Sequence, residues 1–212
     1  MAMNRIQFQP GLSMPDFVAR YGTEAQCDAA LVEARWPDGF RCPCCGGSAH
    51  CVIRAGSRQR FQCNACRHQT SLIAGTVFQG TKLRLTIWFL ALYLISQAKT
   101  GLSALALKRQ LGVSYPTAWL IQHKVMNAMA QREGRYLLEG PVQVDDACLG
   151  GERSGGKAGR GSENKIPFVA ALSLTDDGHP LRVTLSPVPG FTLKSIAAWA
   201  KTHLAPGSTV SS

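Results

Sequence analysis

Two C-x-x-C pairs limit what this chain can fold into more than any other feature. Cys42-Pro43-Cys44-Cys45 and Cys63-Asn64-Ala65-Cys66 stand with seventeen residues between them. One C-x-x-C turn can present two thiolates to one side, so two such turns can enclose a tetrahedral zinc. The separation is that of a zinc ribbon. Cys44 is the nearest competitor, but Cys42 and Cys45 have the two-residue gap, so the predicted zinc ligands are Cys42, Cys45, Cys63 and Cys66. The competing reading, two redox or disulfide pairs, is disfavoured in a reducing compartment. Eight cysteines and no apolar signal-peptide core in the first ten residues make a reducing compartment the expectation. Cys27, Cys51 and Cys148 read as free or buried thiols. Residues 40–70 hold few large apolar side chains, so the metal is expected to supply most of that module's folding energy.

Charge divides the chain. Residues 1–40 carry three basic and five acidic side chains, residues 41–135 thirteen and one, and residues 136–212 seven of each. The whole excess of +10 therefore sits in the middle, as expected where one segment meets phosphate. Hydrophobic residues at 45% and charged residues at 17% exclude wholesale disorder. The longest apolar run, residues 87–95, is too short to cross a bilayer and reads as a buried helix.

Local signals fill in the elements. Residues 15–21 and 24–36 have helical composition, with Thr23 as an N-cap. Short β pieces are expected in residues 40–80 and an apolar helix over 83–96. A short helix over 103–110, a turn at Leu111-Gly112-Val113 and a longer helix from Ser114 to about residue 131 follow. Strands are predicted over 141–149, 166–174 and 181–187, the last two joined by an Asp176-Asp177-Gly178 hairpin turn. Residues 150–161 read as a glycine-rich loop carrying Arg153, Lys157 and Arg160. Thr192 caps a helix with Leu193, Ile196, Ala197, Ala200 and Leu204 as its apolar stripe, and a further strand begins at Ser208.

Residues 103–131 resemble a helix-turn-helix. Leu102, Leu105 and Leu111 are expected to pack the first helix, and Ala118, Ile121, Val125 and Met129 the second. Tyr115 and Thr117 would face the major groove, with Gln122 and Lys124 further along. Arg109 and Lys108 add positive charge, and Arg54, Arg58, Arg60 and Arg67 on the cysteine module suit phosphate contact. Trp88, Trp119 and Tyr93 read as core side chains, and His123 as a surface or capping residue.

Gln143-Val144-Asp145-Asp146-Ala147 sets two carboxylates in an otherwise apolar strand. Alternation sends them to opposite faces, so one at most joins a given site. From these residues alone an exposed edge position before the Gly150-Gly151 turn is favoured over a metal ligand.

In their order, these parts resemble a transposase of the IS1595 (ISXO2-like) type. The resemblance is carried by Trp36-Pro37-Asp38-Gly39, the four ribbon cysteines, residues 71–78 (SLIAGTVF), Trp88-Phe89, residues 111–119 (LGVSYPTAW), residues 144–151 (VDDACLGG) and residues 164–167 (NKIP). It implies an α+β, multidomain chain: a helical lead-in (1–39), a zinc ribbon (40–80), a helical helix-turn-helix region (81–135) and an incomplete RNase H-like DDE domain (136–212). It assigns catalytic Asp145 as a Mg²⁺ ligand. Asp146 stands where the family usually has Glu, and Cys148 where it usually has an aromatic. The family's second catalytic Asp is expected on the strand after the 192–204 helix, where this sequence reads Thr209-Val210-Ser211-Ser212.

The expected function is terminal-repeat binding with Mg²⁺-dependent DNA cleavage and strand transfer, inactive in a chain with one catalytic carboxylate. The alternatives are a DNA-binding fragment or inhibitor, and a zinc-ribbon transcription regulator. Structural Zn²⁺, duplex DNA from the element's terminal inverted repeats, a homodimer and a cytoplasmic, nucleoid-associated location belong to the same expectation, with no membrane.

Overall fold

The computed structural model describes residues 11–55, 58–98, 100–150 and 164–212, with the side chains of residues 54, 55 and 58 left out. The glycine-rich loop expected over 150–161, with Arg153, Lys157 and Arg160, lies outside the described residues beyond Gly150. The described residues divide into two compact units, residues 11–128 and residues 129–212.

The first unit begins with α1 (Met14–Tyr21) and α2 (Glu24–Arg35). Thr23 accepts from the Gln26 N–H while the Gln26 side chain accepts from the Thr23 N–H, a reciprocal cap that fixes the start of α2. An antiparallel sheet follows, β1 (His50–Ala55), β2 (Arg58–Cys63) and β3 (Gln69–Ser71), in that order. Then come α3 (Leu85–Gln97), α4 (Ala104–Leu111) and α5 (Tyr115–Glu133), inside which the boundary between units falls.

Arg84 gives α3 no side-chain cap. Glu24 supplies it from α2: its carboxylate accepts from the N–H groups of Leu85 (2.7 Å) and Thr86 (3.3 Å). A carboxylate at a helix N-terminus also meets the positive end of the helix dipole. Arg35 donates to the carbonyls of Ser71 (3.0 Å) and Leu72 (2.6 Å), tying α2 to the end of the sheet. Phe61, Leu72, Phe78, Leu85, Trp88, Leu107, Ile121 and Val125 are among the residues of one continuous core.

Gly112 takes φ 65°, the left-handed conformation that ends α4 and turns the chain into α5. Ser103 caps α4, and Ser114 accepts from the Thr117 N–H at the start of α5. Three packing expectations are corrected here. Leu105 is exposed, and Leu107, on the opposite side of α4, is buried. Met129 is exposed, so the inward stripe of α5 is Ala118, Ile121 and Val125. Trp119 is 47% exposed and belongs to no core, whereas Trp88 is buried and Tyr93 packs on Phe17.

The second unit is built on a mixed sheet of β4 (Pro141–Leu149), β5 (Ile166–Leu174), β6 (Pro180–Pro187) and β7 (Thr209–Ser211), ordered β6-β5-β4-β7. Neighbours are antiparallel except β4 and β7, which run parallel with Gln143 opposite Ser211. Val142, Val169 and Ala171 form a core with Leu138, Val188 and Trp199, the last from α6 (Leu193–His203). The α6 stripe is corrected: Leu193 is 92% exposed and Ala197 is exposed, and Trp199 takes the buried place beside Ile196, Ala200 and Leu204. Among the described residues no helix is long and apolar enough to cross a membrane.

Candidate functional site

The four predicted cysteines converge. The sulfurs of Cys42, Cys45, Cys63 and Cys66 all lie within 4.8 Å of one another, with Cys42–Cys66 at 3.6 Å and Cys45–Cys63 at 3.5 Å. Tetrahedral zinc with thiolate bonds of about 2.3 Å sets sulfurs about 3.8 Å apart, so the cluster has the size a zinc ion requires. Cys44 and Cys51 are exposed and stand outside it.

The two halves of the cluster repeat one local design. Cys42 N–H donates to Gly47 O and Gly46 N–H to Cys42 O; Cys63 N–H donates to His68 O and Arg67 N–H to Cys63 O. Each turn needs a left-handed residue after its second cysteine, supplied by Gly46 (φ 73°) and Arg67 (φ 62°). Backbone N–H groups point at the sulfurs. Those of Cys66 and Ala65 outweigh burial and hold the Cys63 thiol down at about 6. The N–H of His68 pulls the Cys66 thiol down too, but the facing sulfurs of Cys45, Cys42 and Cys63 outweigh it and push it up to about 12. That crowding of sulfurs is what a divalent cation at the centre relieves.

The ribbon also has a small aromatic core that composition over residues 40–70 did not reveal. Phe61 stacks on Phe40, Trp36 meets both edge-on, and His50 joins them, with centroids 4.6–5.5 Å apart. Trp36 comes from the end of α2, outside the cysteine segment.

The residues expected to touch DNA separate into two groups. Tyr115 and Arg109 are exposed, as is Arg60; Arg58 lies in β2 with its side chain outside the description. Thr117 is half-buried and its hydroxyl is bonded to Ser114 (2.8 Å). Gln122 instead donates to the carbonyl of Leu102 (2.6 Å), and Lys124 to those of Val77 (3.3 Å) and Gln79 (3.0 Å) with its ammonium near the Trp88 ring. These two turn inward and tie α5 to the segments that precede α3 and α4. Lys124→Ala is therefore expected to cost about 1–2 kcal/mol of stability and, in a test of duplex DNA binding, to leave the salt dependence of any affinity found unchanged. Arg109→Ala should do the opposite, lowering that slope by about one with no change in urea midpoint.

On β4 the alternation sends Val142 and Val144 toward the α6 core, and Gln143 and Asp145 to the other face. Asp145 is exposed and accepts from the Asp146 N–H (2.8 Å). It lines a cleft of about 550 Å³ with Gln143, Ala170, Leu172, Val183, Ser211 and Ser212. Among the described residues, Asp145 is the one acidic side chain that lines this cleft. Two-metal phosphoryl transfer needs several carboxylates that converge on the ions.

A four-thiolate ribbon, a helical region and a mixed sheet with a carboxylate on an inner strand define a metal-binding protein with a separate α/β domain. Residues 22–69 match a transposase zinc-ribbon domain of the IS1595 type, and residues 137–212 an ISXO2-like transposase domain. An uncharacterized protein in transposable element ISH50 of Halobacterium salinarum is 32% identical over 180 residues, which cover 76% of this chain. The chain spans 59% of the length of that relative. No solved structure matches. The chain belongs to the IS1595 (ISXO2-like) family of insertion-sequence transposases.

Proposed function

We propose that the chain binds the terminal repeats of an insertion sequence and contributes the first catalytic carboxylate of a DDE transposase, Asp145. The observation that carries this is the placement of Asp145 on an inner strand of the sheet, in a cleft shared with Ser211 of the parallel neighbour β7 and with Ser212 just after it. The family resemblance expects the second catalytic Asp on that strand after α6. The same placement supports an RNase H-like reading of residues 136–212. The thirteen basic side chains of residues 41–135, against one acidic, support phosphate contact by the ribbon and the helices. Zn²⁺ is the structural ion held by Cys42, Cys45, Cys63 and Cys66. Mg²⁺ belongs to a site with more carboxylates than Asp145 alone supplies.

The 212-residue polypeptide is accordingly expected to bind duplex DNA without cutting it. The test incubates the zinc-loaded chain and its Asp145→Ala variant with Mg²⁺ and duplexes that bracket its coding sequence. Equal binding by both and no nicked or joined product supports the reading. Product that disappears in Asp145→Ala would show that the chain is an enzyme unaided. Failure of the parent to bind any duplex would remove the transposase reading of the helical half.

A further inference from the structure

With Gln122 and Lys124 bonded inward, the outward side of α5 is left with an aromatic set spaced one turn apart: Tyr115, Trp119 and His123. The Trp119 and His123 rings lie 3.8 Å apart at 37°, and both are exposed. No hydrogen bond engages the His123 ring nitrogens among the described residues. Lys124 is the sole charged residue between Ser114 and Gln131, so this side of the helix is uncharged. Lys108 and Arg109 stand exposed on α4, just before the Gly112 turn into α5.

An indole half in water is a large apolar surface with nothing over it. The first turns of the second helix in a helix-turn-helix are the part that reaches base edges. Base edges in the major groove offer thymine methyl groups to apolar side chains, and the N7 and O6 acceptors of guanine to N–H donors. Flanking cations then meet the phosphates.

We propose that the tilted Trp119–His123 ring pair, with Tyr115 one turn before it, is the base-reading element of this chain. The Trp119 ring packs against thymine methyls, and the His123 ring N–H donates to a guanine acceptor. The pairing holds the imidazole at a fixed angle, so the two rings act as one surface. This rests on the DNA-binding reading above. It moves sequence recognition from Gln122 and Lys124 to residues whose side chains are free to reach a groove.

The test starts from duplexes selected out of a random-sequence library by the zinc-loaded full chain, with binding then read by fluorescence anisotropy. Trp119→Ala and His123→Ala should each weaken binding to the selected duplex by about tenfold or more. Binding to random-sequence duplex, the salt slope, zinc content and urea midpoint should match the parent. Trp119→Phe should recover part of the loss. Variants that bind the selected duplex as tightly as a selective parent would overturn the inference and leave DNA binding standing. A parent that selects no sequence would overturn terminal-repeat recognition itself. A Trp119→Ala chain that changes from dimer to monomer in light scattering with selectivity intact would assign this face to a second copy, and the proposal would fall.

Discussion

Removal of the metal is expected to unfold the ribbon, the largest single effect available in this chain. The site gathers four sulfurs that are costly to hold together unless a cation sits among them. Structural zinc in comparable small modules contributes on the order of 10–16 kcal/mol at neutral pH. The aromatic cluster of Trp36, Phe40, His50 and Phe61 adds ring contacts worth about 0.5–1.5 kcal/mol each beyond their burial, too little to replace the ion. Purified chain should carry one zinc. A chelator or Cys63→Ser should abolish it and erase the β1–β2–β3 amide signals in an NMR spectrum. Cys44→Ser and Cys51→Ser should keep both zinc and signals, because neither sulfur belongs to the cluster. Retention of the strand signals after zinc loss would show that the aromatic core suffices.

Trp88→Ala should be the most damaging substitution outside the metal site, at about 3–5 kcal/mol. Trp88 is 2% exposed, meets Phe78 edge-on, and donates its indole N–H to Thr81 (2.9 Å). Truncation leaves a cavity, removes one of the two hydrogen bonds to the Thr81 hydroxyl, which still accepts from the Leu83 N–H, and removes the ring near the Lys124 ammonium. With slopes of about 1–3 kcal/mol/M in urea, the midpoint should fall by more than about 1 M. Trp88→Phe should fall less, since it keeps most of the volume and loses the hydrogen bond. An unchanged midpoint in Trp88→Ala would mean that this core is not the cooperative centre of residues 11–128.

The parts of this account that were legible in sequence are those whose physics is local. C-x-x-C spacing places two sulfurs on one turn regardless of what surrounds it, so the metal centre could be read directly. Caps are equally local: Thr23, Ser103, Ser114 and Thr192 each accept a backbone N–H at the start of a helix. Which side of a helix faces inward depends on neighbours far away in sequence. Leu105, Met129 and Leu193 suit an apolar stripe, yet all three are exposed, while Leu107 and Trp199, which were not expected, hold buried places. Trp119 shows the same limit in the other direction: its size suggested a core, and its position on α5 puts it outside. The Glu24 cap on α3 spans 61 residues and leaves no sequence signature. Asp145 was legible as a candidate only, because an acidic strand position gains meaning from the cleft beside it.

We propose that the basic block of residues 41–135 contacts DNA and needs zinc to do so. The most direct measurement is the affinity of zinc-loaded and metal-stripped chain for the same duplex as salt rises from about 50 to about 200 mM. If the basic block makes roughly six to ten phosphate contacts, the loaded chain should lose about 10³–10⁵ in affinity over that range. The stripped chain should bind far more weakly at every salt concentration. Affinity that ignores both salt and zinc would contradict the account.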